Sequence, residues 1–296
     1  MKKLLAISLS LLLFAPVAAA PAPAPSKDEA AKLLEQLKAV DVGKRANAAE
    51  ALGKLGAGAK DAVLALVKAL ADKDFTIPPI VAQALGRIGA PAVPALVDAL
   101  GDKSAQVQGY AAMALQRIGP EAKKAVPALA EAVKKGKDPT SFARLQAAAA
   151  LGKIGPAAAK DGVPALIDAL RTKPPRNPLR IRAAIALGEI GPEAKKAIPT
   201  LIDMLGENEK NAEPLRLHVA KSLGQIGAGS PSDVVPALVA LVENKKMGLT
   251  RIVAINALGQ IGPDAKNAVK TLKKAAEENG LKDAAKKALE KIESKK

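Results

Sequence analysis

The 296-residue chain has no cysteine, no tryptophan, one histidine, one tyrosine and three phenylalanines. Without cysteine it can form neither a disulfide nor a thiolate nucleophile, and a single histidine cannot build a His/Cys zinc cluster. Aromatic residues make up 1% of the chain, so any core must be aliphatic. No segment alternates in the manner of a β-strand. The composition therefore favours an all-α protein, and we predict no catalytic site, metal or cofactor.

What the chain does contain is a repeat, seen most clearly at residues 183–205, where Gly191-Pro192 separates two amphipathic segments. Glycine at this position can end a helix with a positive φ, and proline can open the next helix because a first-turn amide has no partner to lose. Near-copies recur every 30 to 36 residues, anchored on Leu52, Leu85, Leu115, Leu151, Leu187, Leu223, Leu258 and Leu289. Such short helices must stack to bury their apolar faces, so the repeat predicts a solenoid.

The motif Arg-x-x-Ala-Ala-x-Ala-Leu-Gly-x-Ile-Gly at 144–155 and 180–191 resembles HEAT repeats, in particular the short alanine-rich repeats of phycobilisome-lyase-like proteins. The resemblance covers residues 27–296 and implies an all-α solenoid of about eight units, each with an outer helix A and an inner helix B. The A helices are predicted near 27–39, 60–72, 92–101, 122–135, 158–171, 194–206, 232–244 and 265–278. The B helices are predicted near 44–55, 77–88, 105–118, 141–154, 179–190, 212–226, 249–261 and 281–294.

The N-terminus has the three-part form of a signal peptide at residues 1–20: Lys2-Lys3, an apolar run, and small residues up to Ala19. Residues 21–26 form a Pro/Ala linker, and 27–296 form the solenoid. The apolar run is shorter than the about 20 residues of a membrane span. We expect an exported protein, periplasmic or secreted, that does not span the membrane once the signal is cleaved. An uncleaved anchor is the alternative.

HEAT repeats often carry an aspartate in the A–B turn and an arginine six residues later, which bond between layers. The basic position is held here by Arg45, Arg144, Arg180, Arg216, Arg251 and Lys282, but Pro78 and Gln108 depart from the pattern. Acids occur at Asp72, Asp102 and Asp138, and only Asp138 shares a unit with its arginine. The resemblance thus implies an incomplete ladder, and it favours a structural role for these arginines over contacts with nucleic acid.

On helix B, positions −5, −2 and +2 from the anchor leucine form one stripe opposite the core. In HEAT-like solenoids this stripe lines the concave surface. Its +2 row begins basic and then changes, reading Lys54, Arg87, Arg117, Lys153, Glu189, Gln225 and Gln260. Tyrosine and arginine often anchor interfaces. The candidate partner-binding residues are therefore Tyr110, Met113, Arg117, Arg182, Ile185, His218 and Lys221.

Three functions are consistent with these features. The first is a non-catalytic scaffold that binds a protein partner along the concave face. The second, suggested by a formal charge of +16, is an electrostatic binder of acidic polymers or anionic surfaces. Nucleic acid is not expected, because one tyrosine offers little stacking surface. The third is an accessory lyase-type subunit, although His218 and Ser222, four residues apart, lack a carboxylate to orient the imidazole.

Overall fold

The computed structural model describes residues 27–136, 138, 140–172, 177–206 and 212–294. The predicted signal peptide and linker lie outside these residues. Within the described ranges the regular structure is helical throughout, with sixteen α-helices and no strand. The helices alternate between the two sides of a stack, which confirms the predicted all-α solenoid of eight helix pairs.

The bounds of the helices follow the repeat. The A helices are α1 (Lys27–Gln36), α3 (Val63–Ala69), α5 (Val93–Ala99), α7 (Val126–Lys134), α9 (Gly162–Leu170), α11 (Ile198–Leu205), α13 (Pro231–Glu243) and α15 (Val269–Ala275). The B helices are α2 (Val42–Lys54), α4 (Ile77–Ile88), α6 (Ala105–Ile118), α8 (Phe142–Ile154), α10 (Pro178–Ile190), α12 (Glu213–Ile226), α14 (Gly248–Ile261) and α16 (Lys282–Glu293).

The corner between units differs from its prediction. Gly191 has φ of +81°, as expected, but Pro192 opens a 3-10 segment, Gly191–Ala197, and α11 begins only at Ile198. A second proline, Pro199, explains the late start. Proline has no amide hydrogen and its ring clashes with the preceding turn, so it is confined to the first turn of an α-helix. The predicted start of this helix at residue 194 was therefore wrong.

The first glycine of the motif is a packing residue. A Cβ added at Gly53 would lie 2.7 Å from the Cα of Ala84, and one added at Gly224 would lie 2.8 Å from the Cα of Ala257. In both cases the neighbour belongs to the B helix of the next unit. Glycine on one layer and alanine on the next thus allow consecutive B helices to meet backbone against backbone.

This close approach distinguishes the layer of B helices from the layer of A helices. Consecutive B helices share extensive contacts, whereas most consecutive A helices, which are shorter, share fewer. Unequal spacing of two layers favours bending toward the tighter one, in line with the expectation that the B helices line the concave side. Between the layers lies an aliphatic core in which the anchors Leu52, Leu85, Leu115, Leu151 and Leu187 are fully buried.

Arginines at the start of the B helices join each unit together. The Nε atoms of Arg144, Arg180 and Arg251 donate to main-chain carbonyl oxygens at the end of their own unit's A helix, over 2.7–2.8 Å. These arginines are 3–9% exposed. Their guanidinium groups complete the hydrogen bonds of a helix end and are not available to nucleic acid, which confirms the structural role expected for them.

Acidic partners of these arginines come from the following unit. Arg45 forms a two-point ion pair with Asp72, at 2.7 and 3.0 Å, and Arg251 does the same with Glu278, at 2.8 Å for both contacts. Asp138 and Arg144, which share a unit, form no side-chain ion pair, because the Asp138 carboxylate accepts from the amide and hydroxyl of Thr140 while Arg144 donates from Nη1 to the Asp138 main-chain oxygen over 3.1 Å. The ladder is therefore incomplete and its ion pairs run between layers, both as predicted.

Among the described helices, none alone is both long and apolar enough to cross a membrane. The segments Ile77–Ile88 and Ala90–Ala99 meet the length and composition only when joined, with a bend of 117° between them.

Candidate functional site

The candidate residues all lie on B helices, on the stripe that is predicted to line the concave surface. Those of α6 are separated from those of α10 and α12 by α8, so they form two groups along the groove. Arg117 and Lys221 are exposed, and the other five are half-buried. In chain order the set is Tyr110, Met113, Arg117, Arg182, Ile185, His218 and Lys221.

The first group is built around an aromatic pair. Phe142, the first residue of α8, meets Tyr110 of α6 edge to face, with ring centroids 5.1 Å apart. Gly109 leaves room for the phenylalanine ring, which packs where a Cβ would stand. Tyr110 therefore covers the boundary between two layers and still presents part of its ring to the groove.

The second group is a cluster of cationic side chains. Burial lowers the pKa of His218 below its usual 6.5, and the positive charges of Lys221 and Arg182 lower it further. Arg182 occupies the same repeat position as His218, one layer earlier, and Lys221 lies one turn further along α12. At neutral pH the imidazole is therefore uncharged and flanked by two cations, an arrangement that favours an incoming anionic group.

Ser222 does not form a catalytic pair with His218. Its hydroxyl lies 2.7 Å from the carbonyl oxygen of Ala184 and 2.8 Å from that of His218, and the residue is 1% exposed. The side chain thus fills the small-residue position between α10 and α12. Among the residues that the structure describes, no group of three His, Cys, Asp or Glu side chains could hold a metal ion.

The +2 row runs along the groove with one side chain from each layer. Lys153 of α8 and Glu189 of α10 form an ion pair across two layers, with Nζ to Oε1 at 2.6 Å. Lys54 and Arg87, from the first two layers, line one small cavity of about 110 Å³ together with Glu50 and Gln83. Successive +2 side chains are therefore close enough to interact, which the sequence periodicity alone did not establish.

Sequence analysis missed an apolar region on the A-helix side. Leu64 is 68% exposed and lines two grooves, one of about 750 Å³ toward α1 and one of about 440 Å³ toward α5. Phe75, in the following A–B turn, is 83% exposed. The available signal was Leu64 itself, which stands outside the apolar stripe of α3 defined by Val63 and Leu66.

Comparisons with known proteins agree with this architecture. The profile of HEAT repeats matches residues 30–107, 93–177 and 163–246. A comparison with curated proteins finds no match. Among solved structures, the YibA protein of Escherichia coli is 20% identical, with a TM-score of 0.55 over 92% of this chain and 93% of YibA.

Two further structures show likeness at low identity. Kap95p, in a structure concerned with its binding to RanGDP, is 15% identical, with a TM-score of 0.62 over 94% of this chain but 42% of Kap95p. The CpcE and CpcF complex of phycocyanin lyase from Nostoc is 24% identical, with a TM-score of 0.44 over 87% of this chain and 98% of that one. The repeat profile accounts for residues 30–246, most of the solenoid. The chain therefore belongs to the HEAT-repeat family.

Proposed function

We propose that the protein is a non-catalytic, exported scaffold that binds another protein in the groove formed by its B helices. The observation that carries this proposal is the contrast between frame and surface. The frame repeats Ala, Leu and Gly from layer to layer, whereas the combination of residues at −5, −2 and +2 is different in every unit. A uniform frame with varied groove residues is the arrangement by which repeat proteins select partners.

HEAT solenoids include proteins with protein partners, as the structure of Kap95p with RanGDP illustrates. That likeness concerns the fold, and the partner of the present chain is proposed from its own groove. Half-buried Tyr110, Met113 and Ile185 offer apolar contacts, and the cluster of Arg182, His218 and Lys221 offers hydrogen-bond donors. Aromatic and arginine side chains with apolar neighbours are typical of residues that dominate binding energy.

The test is site-specific photo-crosslinking in the native host. A photoreactive amino acid would replace Gln83 or Asn256 on the inner face, with Asp98 and Asp168, both exposed on A helices, as matched controls. We expect a discrete protein adduct from the inner positions and none from the controls. Adducts confined to the control positions would place the partner on the outer side and refute the proposal.

Export is tested separately by intact-mass measurement on protein from its own host. Removal of about twenty residues is expected, since the basic start, apolar run and small residues of 1–20 have the form of a cleaved signal. A full-length mass in the soluble fraction would contradict it.

A second function, binding of an acidic polymer or anionic surface, is favoured by the formal charge of +16 and by the basic start of the +2 row. The two functions differ in salt dependence. Binding by charge alone weakens steeply as salt rises, because counterions must be displaced, whereas a partner held by apolar contacts is less affected. Adduct yield measured at low and high salt therefore distinguishes them.

A further inference from the structure

The first three layers of the groove present a row of cations without acidic partners. Lys54, Arg87 and Arg117 occupy the +2 position of α2, α4 and α6, and all three are exposed. None of them forms an ion pair with any residue that the structure describes. Glu50 is the one carboxylate lining the cavity beside Lys54, and it makes no ion pair with that lysine.

The next two layers show what this row lacks. There the same position carries Lys153 and Glu189, and the two side chains pair at 2.6 Å. A cation at +2 can thus reach an anion at +2 of the following layer. In the first three layers the neighbouring +2 positions are all basic, and Glu50 forms no ion pair with Lys54, so an acidic ligand from outside the chain could pair with the row.

Helix chemistry alone does not account for the row. These positions lie in the last turn of each B helix, where the helix dipole favours a cation. However, the same position carries Glu189, Gln225 and Gln260 in later units. The dipole therefore tolerates acidic and neutral residues, and a run of basic residues in adjacent layers requires another reason.

Beside the cationic row lies an apolar strip. Met113 is one helical turn from Arg117, or about 6 Å along the axis, and Tyr110 lies one turn further. Ile80 holds the position equivalent to Tyr110 on α4. All three are half-buried and pack against the core, and the Tyr110 ring is supported by Phe142. The remaining −5 and −2 positions of these layers hold Asn47, Glu50 and Gln83, so the apolar and aromatic surface beside the row lies at its second and third layers.

The spacing of the row restricts the shape of its ligand. Packed helices stand about 8–10 Å apart, so the charges of the row are expected to repeat at about that interval. A polyproline II helix has three residues per turn and rises about 3.1 Å per residue, so that every third side chain returns to the same face after roughly 9 Å. In a β-strand, residues three apart point to opposite faces. Proline-rich segments also dock on aromatic-lined grooves.

We propose that the groove of the first three layers binds a polyproline II segment of a protein partner, with an acidic residue at every third position facing Lys54, Arg87 and Arg117. The prolines of the segment lie on Ile80, Met113 and Tyr110. This inference rests on the proposed scaffold function and specifies the chemistry of its partner at one end of the groove.

Synthetic peptides test the spacing directly. The probes are a peptide of roughly five Glu-Pro-Pro triplets, an isomer of the same composition with its glutamates in one block, and the Lys-Pro-Pro analogue. Affinity for the purified full-length protein would be measured by titration calorimetry at physiological salt. We expect the spaced peptide to bind roughly tenfold more tightly than the block isomer, since each exposed ion pair changes affinity by up to about fivefold. Equal affinity of the two isomers would overturn the inference in favour of bulk charge.

Variants locate the site. Arg87→Ala with Arg117→Ala should remove the preference for the spaced peptide. Lys123→Ala with Lys124→Ala removes the same charge from the exposed corner that follows α6 and should leave the preference intact. Equal losses in the two double variants would overturn the inference.

A charge reversal guards against loss through misfolding. In Arg87→Glu with Arg117→Glu, the spaced Lys-Pro-Pro peptide should bind more tightly than the glutamate peptide. A folded variant that still prefers the glutamate peptide would overturn the inference. The crosslinking experiment keeps the two proposals distinct. Inner-face adducts together with no discrimination between peptides would leave the scaffold function standing and reject this ligand. Discrimination without any inner-face adduct would support the row and refute the scaffold function in the host.

Discussion

Replacing Gly224 by alanine tests how closely the layers pack. The new Cβ would lie 2.7 Å from the Cβ and 2.8 Å from the Cα of Ala257, where ordinary contact begins at 3.4 Å. Because the nearest atoms belong to the next helix's backbone and its shortest side chain, no rotamer change can relieve the clash. Helices α12 and α14 must therefore separate by about 0.7 Å, and a gap of about 0.5–1 Å already loses a quarter to a half of the dispersion attraction of the atoms involved.

Two opposing effects determine the size of the change. Overpacking a core typically costs about 1–3 kcal/mol. Alanine in a helix interior is favoured over glycine by about 1 kcal/mol, which offsets part of that cost. We expect a net loss of about 1 kcal/mol, seen as a fall in melting temperature of about 2–4 °C for chains of roughly this size.

Gly280→Ala provides a matched control. A Cβ at Gly280 meets nothing within 4 Å, and the residue does not have a positive φ. Alanine there should leave stability unchanged or raise it by about 0.4–1 kcal/mol, because it restricts the unfolded chain. The two substitutions are chemically identical, so their difference isolates the contact between layers.

Thermal unfolding followed by circular dichroism measures both variants. In Gly224→Ala, amide hydrogen exchange should show that α12 and α14 open faster than α2 and α4, because repeat proteins are stabilised through nearest-neighbour interfaces. If Gly224→Ala proves as stable as Gly280→Ala, the backbones of α12 and α14 are not in the close contact described above.

Three further predictions follow from single residues. Leu151→Asp should unfold the central layers, because an unpaired charge at this fully buried position costs about 4 kcal/mol or more; an unchanged melting curve would contradict the helix register. Hydrogen bonds from Arg251 lower the pKa of Glu278 below its usual 4.5, so their stabilisation is present above that pH and is lost as the pH falls through the lowered pKa. Unfolding curves of Glu278→Gln and the unmodified protein should converge at acid pH, and a constant gap would contradict the pair. Burial, Lys221 and Arg182 lower the pKa of His218, so stability should decline as the pH falls below 6.5; NMR titration of this single histidine should give a higher pKa in Arg182→Ala, and an unchanged value would place the arginine elsewhere.

The number and order of helices could be predicted from the sequence because one motif recurs in every unit. The starts of α1, α5 and α13 were predicted to within one residue, whereas α3, α7, α9, α11 and α15 begin three or four residues later than predicted. Between Pro192 and Pro199, the 3-10 segment buries Ala194 and Ala197 completely. Periodicity placed Ala194 on an apolar face, but it could not distinguish 3-10 from α-helical hydrogen bonding.

Contacts between layers were the second feature that the sequence could not predict in full. The acid that pairs with Arg45 and the one that pairs with Arg251 each lie 27 residues further along the chain, in the following unit. The resemblance implied bonds between layers and Asp72 was among the acids named, but Glu278 was not, because it is not an aspartate of the predicted pattern. The same limit applied to the groove. The stripe was visible as a helical period, but the register between α8 and α10 was needed to show that Lys153 is neutralised by Glu189 and that the three earlier cations are not.

The close contact between layers and the spacing of the groove charges have a common physical origin. The motif glycine lets the next B helix approach, and the +2 side chain of that helix then lies against the glycine. Arg117 is an example, because its Cβ lies 2.6 Å from the position that a Cβ on Gly86 would occupy. A side chain resting on a neighbouring backbone has few directions left, so it extends into the groove at the interval of one layer. The packing that stabilises the solenoid thereby fixes the positions of its charges while leaving their identity free. This is why the +2 position can change from arginine to glutamate or glutamine along the stack without disturbing the frame, and why ligand selection is expected to lie in this row.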